Sequence, residues 1–171
     1  MIKKFSAVVG SLTLALSLTA CAPQAETNSA SSETKLAALA VEDGWVRVSE
    51  YSDHVDGMTG AFAKFTNNTD ADITIVGGSS EIAHVVETHE VVMANNKMTM
   101  QKKEGGIVIP AHESLTLEPG GLHIMLMGLK KPILVGDKIT MTIDLDGAED
   151  QTVTWDAKTS LSGDEEYKPT K

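Results

Sequence analysis

From residue 45 onward the chain is made of short runs with a period of two. Trp45-Val46-Arg47-Val48, Ala61-Phe62-Ala63-Lys64-Phe65 and Asp72-Ile73-Thr74-Ile75-Val76 alternate, as do Leu115-Thr116-Leu117 and Lys138-Ile139-Thr140-Met141-Thr142-Ile143. Successive side chains of a strand point to opposite faces, so such runs read as half-buried strands. Residues 82–93, 97–102, 122–127 and 151–155 complete the set. Asn67-Asn68, Gly77-Gly78, Asn95-Asn96, Gly105-Gly106, Pro119-Gly120-Gly121 and Asp146-Gly147 punctuate the runs, and these are turn formers. Eight or nine short strands at this spacing predict an all-β domain, an antiparallel sandwich or barrel.

The flanks read differently. Residues 1–20 have the pattern of a secretory signal, with Lys3 and Lys4 ahead of an apolar stretch from Phe5 to Leu18. That stretch is too short to span a bilayer. It ends in Leu18-Thr19-Ala20-Cys21, which resembles a bacterial lipobox. Cys21 is then lipidated and becomes the new N-terminus. The expected organisation is a lipoprotein signal over 1–20, a lipidated Cys and flexible tether over 21–41, one domain over 42–158 and a disordered tail over 159–171. The expected location is extracytoplasmic, anchored by lipid to a bacterial membrane.

Charge and cysteine count narrow the chemistry. The chain carries 14 Lys+Arg, 24 Asp+Glu and a net charge of −10. Residues 1–20 hold two lysines and no acid, so their loss makes this −12. Phosphate backbones repel such a chain, which argues against nucleic acid as a partner. A single Cys excludes an intramolecular disulfide, a Cys-rich zinc site and a CxxC centre. Once Cys21 is lipidated no thiolate remains for a blue-copper centre.

Methionine and histidine are the candidate chemistry. Five of eight Met lie between positions 93 and 127, and His89, His112 and His123 lie in or next to that stretch. If Asn95-Asn96 is a two-residue hairpin turn, Ala94 faces Lys97, Met93 faces Met98 and Val91 faces Met100. His89, Met93, Met98 and Met100 then share one face, with His89 diagonal to Met100. His123, Met125 and Met127 share a face of another strand by the same rule. Two such faces brought together make a His/Met pocket. Soft thioethers with imidazole, and no thiolate or carboxylate, favour Cu(I) over Zn(II), Mg(II) or Ca(II). The alternative for each residue is ordinary packing, since Met is a common core filler.

His89-Glu90, Met98-Thr99-Met100 and the run Pro119-Gly120-Gly121-Leu122-His123-Ile124-Met125-Leu126-Met127-Gly128-Leu129 together resemble the periplasmic copper-A chaperone family, PCuAC. Its pattern is His-x10-Met-x21-His-x-Met. Ten residues separate His89 from Met100, and His123-Ile124-Met125 supplies the last element. Between Met100 and His123 lie 22 residues rather than 21, and the loop around Lys103 to Gly106 is where the extra one fits. Met58-Thr59-Gly60-Ala61-Phe62, Thr66-Asn67 and Gly136-Asp137 fit as well, so the similarity spans roughly residues 43–158.

The resemblance implies a cupredoxin-like antiparallel β-sandwich of Greek-key type. It implies one Cu(I) per chain held by His89, Met100, His123 and Met125; Met98, Met127 and Met93 share the proposed faces and are accessory candidates on that ground, as wall or as ligand. It implies a carrier rather than an enzyme, delivering copper towards the copper-A subunit of cytochrome c oxidase or another copper-transfer protein. The alternatives are a copper storage or detoxification lipoprotein, or a metal-free surface lipoprotein with a structural Met core. With two imidazole ligands, Cu(I) affinity is expected to fall below about pH 6. His54 and His112 are expected at the surface, His84 has the opposite strand parity to His89 and is expected to face away from the site, and the Asn67-Asn68-Thr69 sequon carries no weight.

Overall fold

The computed structural model describes residues 37–50, 57–94 and 96–160, together with the backbone of 166–167. The signal, Cys21 and the tether up to residue 36 lie outside the described residues.

No helix occurs among the described residues. The strands are β1 (Leu39–Arg47), β2 (Met58–Asn67), β3 (Ile73–Ser79), β4 (Val85–Ala94), β5 (Lys97–Lys102) and β6 (Ile107–Ile109), followed by β7 (Ser114–Thr116), β8 (His123–Met127), β9 (Lys138–Asp146), β10 (Gln151–Lys158) and β11 (Glu166–Tyr167). The all-β expectation holds. Among the described residues there are eleven strands rather than eight or nine, because β6 and β11 are too short to show a pattern in sequence.

Hydrogen bonding runs in the order β11-β5-β4-β8-β2-β1-β10-β9-β3-β6, and β3 also pairs with β4. That last pairing closes a ring of seven strands around the core. Two pairings are parallel, β1 with β10 and β5 with β11. The rest are antiparallel, as expected.

Alternation in sequence becomes alternation in burial. Ile139, Met141, Ile143 and Leu145 of β9 are buried, with more accessible residues between them. Phe65, Ile73, Ile75, Ile109, Ile124 and Leu126 are fully enclosed in the same cluster. β2 and β8 depart from the rule, since both of their faces are buried. One face belongs to the core, and the other carries Phe62, His123 and Met125.

Two expectations about boundaries change. β1 begins at Leu39, inside the stretch read as tether, and Leu39 is buried in the core. A register shift between Glu42 and Trp45, with Asp43 at φ +55°, breaks the period and hides the first half of the strand from pattern reading. Gly44 is required at that kink, because a Cβ there would lie 2.3 Å from the Trp155 ring. At the other end, Glu166–Tyr167 pairs with Thr99 and Met100 of β5, so the tail read as disordered contains a strand.

Candidate functional site

The β4–β5 hairpin has the register that its sequence predicts. Ala94 pairs with Lys97, Met93 with Met98 and Val91 with Met100. His89 pairs with Lys102, which leaves it diagonal to Met100. On its other side β4 pairs with β8, His89 directly opposite His123 and Glu87 opposite Met125. The His89 and His123 rings lie 5.7 Å apart between centroids, inclined at 52°. The two Met/His faces are brought together by this pairing. They are one continuous face of adjacent strands.

That face continues across β2 and β1. Gly60 pairs with Met125 and Met58 with Met127, and beyond them Trp45 pairs with Phe62. Phe62 stacks 4.6 Å from Trp45 and 6.0 Å from His123. These aromatics cover the face. His89 is 0 % exposed, Met125 2 % and His123 4 %. Beside them lies a cavity of about 200 Å³ walled by Met58, Met100, His123 and Met125 among others. His89 is not on that wall and sits behind it, against His123. Gly60 lacks the side chain that would crowd this space, since a Cβ there would lie 2.7 Å from the tip of Phe62.

The accessory candidates separate. Met93 and Met98 are 70 % and 45 % exposed toward the hairpin tip and do not wall the cavity. Met127 is half-buried, two residues along the face from Met125, and also lies off the wall. Met58 was missed as a candidate. Its signal is weak because residues 59–63 of β2 are buried on both faces, which hides which side Met58 serves. His84 is exposed before β4, and exposed His112 contacts Asp70 at 2.9 Å, at the surface as expected. His54 lies outside the described residues. Asn67 of the sequon is buried, with both amide hydrogens donated to main-chain carbonyls, so the folded chain cannot present it for glycosylation.

Hydrogen bonds orient both imidazoles. His123 Nδ1 donates to the Gly121 carbonyl at 3.1 Å. A carbonyl can only accept, so the proton sits on Nδ1 and Nε2 is the basic nitrogen. His89 Nε2 makes a longer contact of 3.4 Å with Glu87, whose other oxygen accepts from Lys102 at 2.9 Å. Among the described residues no three His, Cys, Asp or Glu converge as a metal cluster. Any ion held here depends on thioether sulfur.

Burial dominates His89 and lowers its pKa from the ordinary 6.5, although Glu87 opposes the shift. Burial pushes the Glu87 carboxyl up, but hydrogen bonds from Lys102 and His89 outweigh it and leave Glu87 below 4.5. The unfolded chain therefore takes up a proton at His89 before the folded chain does. That makes His89's contribution to stability full above pH 6.5 and lost as pH falls from there through its lower folded value. Melting temperature of the metal-free protein is expected to drop over that window, and His89→Asn is expected to remove part of the slope. A wild-type melting temperature that stays flat through the window contradicts this. Glu87 adds a separate loss below pH 4.5. For a bound cation, proton competition at His89 begins at lower pH than an ordinary imidazole would give.

Comparison with known proteins bears on this geometry. The LpqE-like family model matches residues 39–157. A protein of Leifsonia xyli subsp. xyli, Lxx21020, named as a lipoprotein, is 34 % identical over 153 residues, covering 90 % of this chain and 89 % of the relative. Among solved structures, the apo PCuAC domain from PmoF1 superposes with a TM-score of 0.56 at 22 % identity, covering 72 % of this chain and 95 % of that one. The Cu(I) form of DR1885 from Deinococcus radiodurans has a TM-score of 0.52 at 29 % identity, covering 82 % and 93 %.

Proposed function

This chain belongs to the LpqE-like family, related to PCuAC domains, and on that premise we propose that it is an extracytoplasmic copper chaperone. It binds one Cu(I) through His89, Met100, His123 and Met125. It is anchored by a lipid on Cys21, consistent with a relative named as a lipoprotein. The solved neighbour DR1885 in its Cu(I) form supports the choice of metal.

The observation that carries the proposal is the single face on which these four residues lie. Met100, His123 and Met125 wall one small cavity, and His89 packs against His123 from behind. Two thioethers and two imidazoles suit a soft monovalent ion, and a bare cavity of this size suits an ion rather than an organic ligand. Met100 is only half-buried, so the ion is reachable from its side. A partner's ligands replace Met100 first and draw the copper out by exchange, without a change in oxidation state. Thioethers do not titrate, and they persist in an oxidising compartment where thiols do not.

Delivery is tested by mixing the Cu(I)-loaded protein with a metal-free copper-A domain of cytochrome c oxidase under reducing, anaerobic conditions. Copper is expected to leave this protein and appear in the acceptor, whose absorbance after oxidation reports the assembled centre. No transfer, together with copper sensitivity on deletion of the gene, supports storage or detoxification instead.

A further inference from the structure

Arg47 is the single arginine of the chain. It lies where a cation is least expected, on the wall of the cavity shared by Met100, His123 and Met125. It is half-buried at the end of β1, with Cζ 5.4 Å from the centroid of Phe62. The Phe62 ring in turn stands between it and His123. Its Nε is buried with no hydrogen-bond acceptor. Among the described residues no carboxylate bridges to it. Acids are not scarce in a chain with 24 Asp+Glu. A half-buried guanidinium on a cavity wall that no carboxylate neutralises keeps its charge for an anion that arrives from outside.

A second observation points the same way. Parallel pairing of β1 with β10 sets Arg47 beside Lys158. Residues opposite one another share a face, so two like charges stand together at this edge of the site. Such a pair is unfavourable unless something negative sits over it. Asp156, the register partner of Trp45, is held by Lys138 at 2.6 Å and also feels the charge of Lys158, so one carboxylate is shared between two lysines and does not also pair with Arg47.

We infer that Arg47, with Lys158 beside it, is the docking point for a negatively charged Cu(I) complex. Copper then enters the site from an anionic donor rather than as the free cation, which Arg47 repels. The exchange balances without redox chemistry. Bonds from copper to the donor's ligands break as bonds to thioether sulfur and imidazole nitrogen form, and the donor leaves as the free anion. The inference rests on the copper reading above and deepens it.

The test follows copper uptake by the lipidated mature chain in detergent, in stopped flow and without oxygen, from two coloured donors. One is the Cu(I) bis-bicinchoninate complex, which is anionic; the other is the Cu(I) bis-neocuproine complex, which is cationic. Arg47→Gln is expected to slow uptake from the first by about three- to tenfold at low ionic strength, with the difference closing in high salt. Uptake from the second is expected to be unchanged or faster. Arg47→Lys, which keeps the charge, retains most of the wild-type rate with the anionic donor. Equal slowing with both donors overturns the inference and reduces Arg47 to a support for Phe62. No effect with either donor overturns it as well. Wild-type protein that takes copper from neither donor overturns the copper reading itself, and this inference with it.

Discussion

His123→Ala is expected to weaken Cu(I) binding by about a hundredfold or more. His123 is central to the face. Its ring contacts His89 on one side and Phe62 on the other, and it walls the cavity together with Met100 and Met125. Changes to groups that merely orient a ligand typically cost ten- to a hundredfold in metal affinity, so loss of a ligand costs more. Met100→Leu and Met125→Leu make the cleaner comparison. They replace a thioether with a hydrocarbon of similar volume, which costs cores little stability, and they are expected to weaken Cu(I) binding strongly with little change in melting temperature. Met93→Leu and Met98→Leu serve as controls. Both residues are exposed toward the hairpin tip, and equilibrium affinity is expected to be unchanged. Wild-type affinity in His123→Ala would mean that the Met/His face is packing only.

The largest effect on stability away from the site is expected at Asn67. This side chain is 1 % exposed and makes four hydrogen bonds. Nδ2 donates to the carbonyls of Ala71 and Ile109 at 2.8 and 2.9 Å, while Oδ1 accepts from the Thr69 amide and hydroxyl at 2.9 and 2.8 Å. It thus ties the end of β2 to the β2–β3 turn and to β6. Asn67→Ala leaves the Ile109 carbonyl buried without this donor, and the expected cost is about 3 kcal/mol. For a domain of this size that lowers the melting temperature by roughly 10 °C. Asn67→Asp keeps the acceptor but loses both donors, and is expected to be no better. Thermal denaturation of the metal-free protein decides; a shift of only a degree or two contradicts the role assigned to this residue.

The hairpin was legible in sequence because its turn fixes its register. Once Asn95-Asn96 is taken as a two-residue turn, every pair from Met93–Met98 to His89–Lys102 follows by counting, and the structure has those pairs. What counting cannot supply is which distant strand lies alongside. The contact between His89 and His123 arises from β4–β8 pairing across 34 positions of sequence. No local pattern encodes that, and the sequence alone leaves open how the two faces come together. Burial on both faces over the first half of β2 hid Met58, since alternation shows only from Lys64 onward. The kink at Asp43-Gly44 hid the start of β1, and β6 has only three residues in which to show alternation. Arg47 was read only as part of a strand, because its importance depends on what it lacks in three dimensions.

The central claim is that this face holds one Cu(I). It is tested most directly by anaerobic titration of residues 22–171 with Cu(I) in competition with a chromophoric chelator. The account predicts that one equivalent is withheld from the chelator with sub-nanomolar affinity or better. No competition at all would contradict it, and the face would then be the core of a metal-free surface lipoprotein.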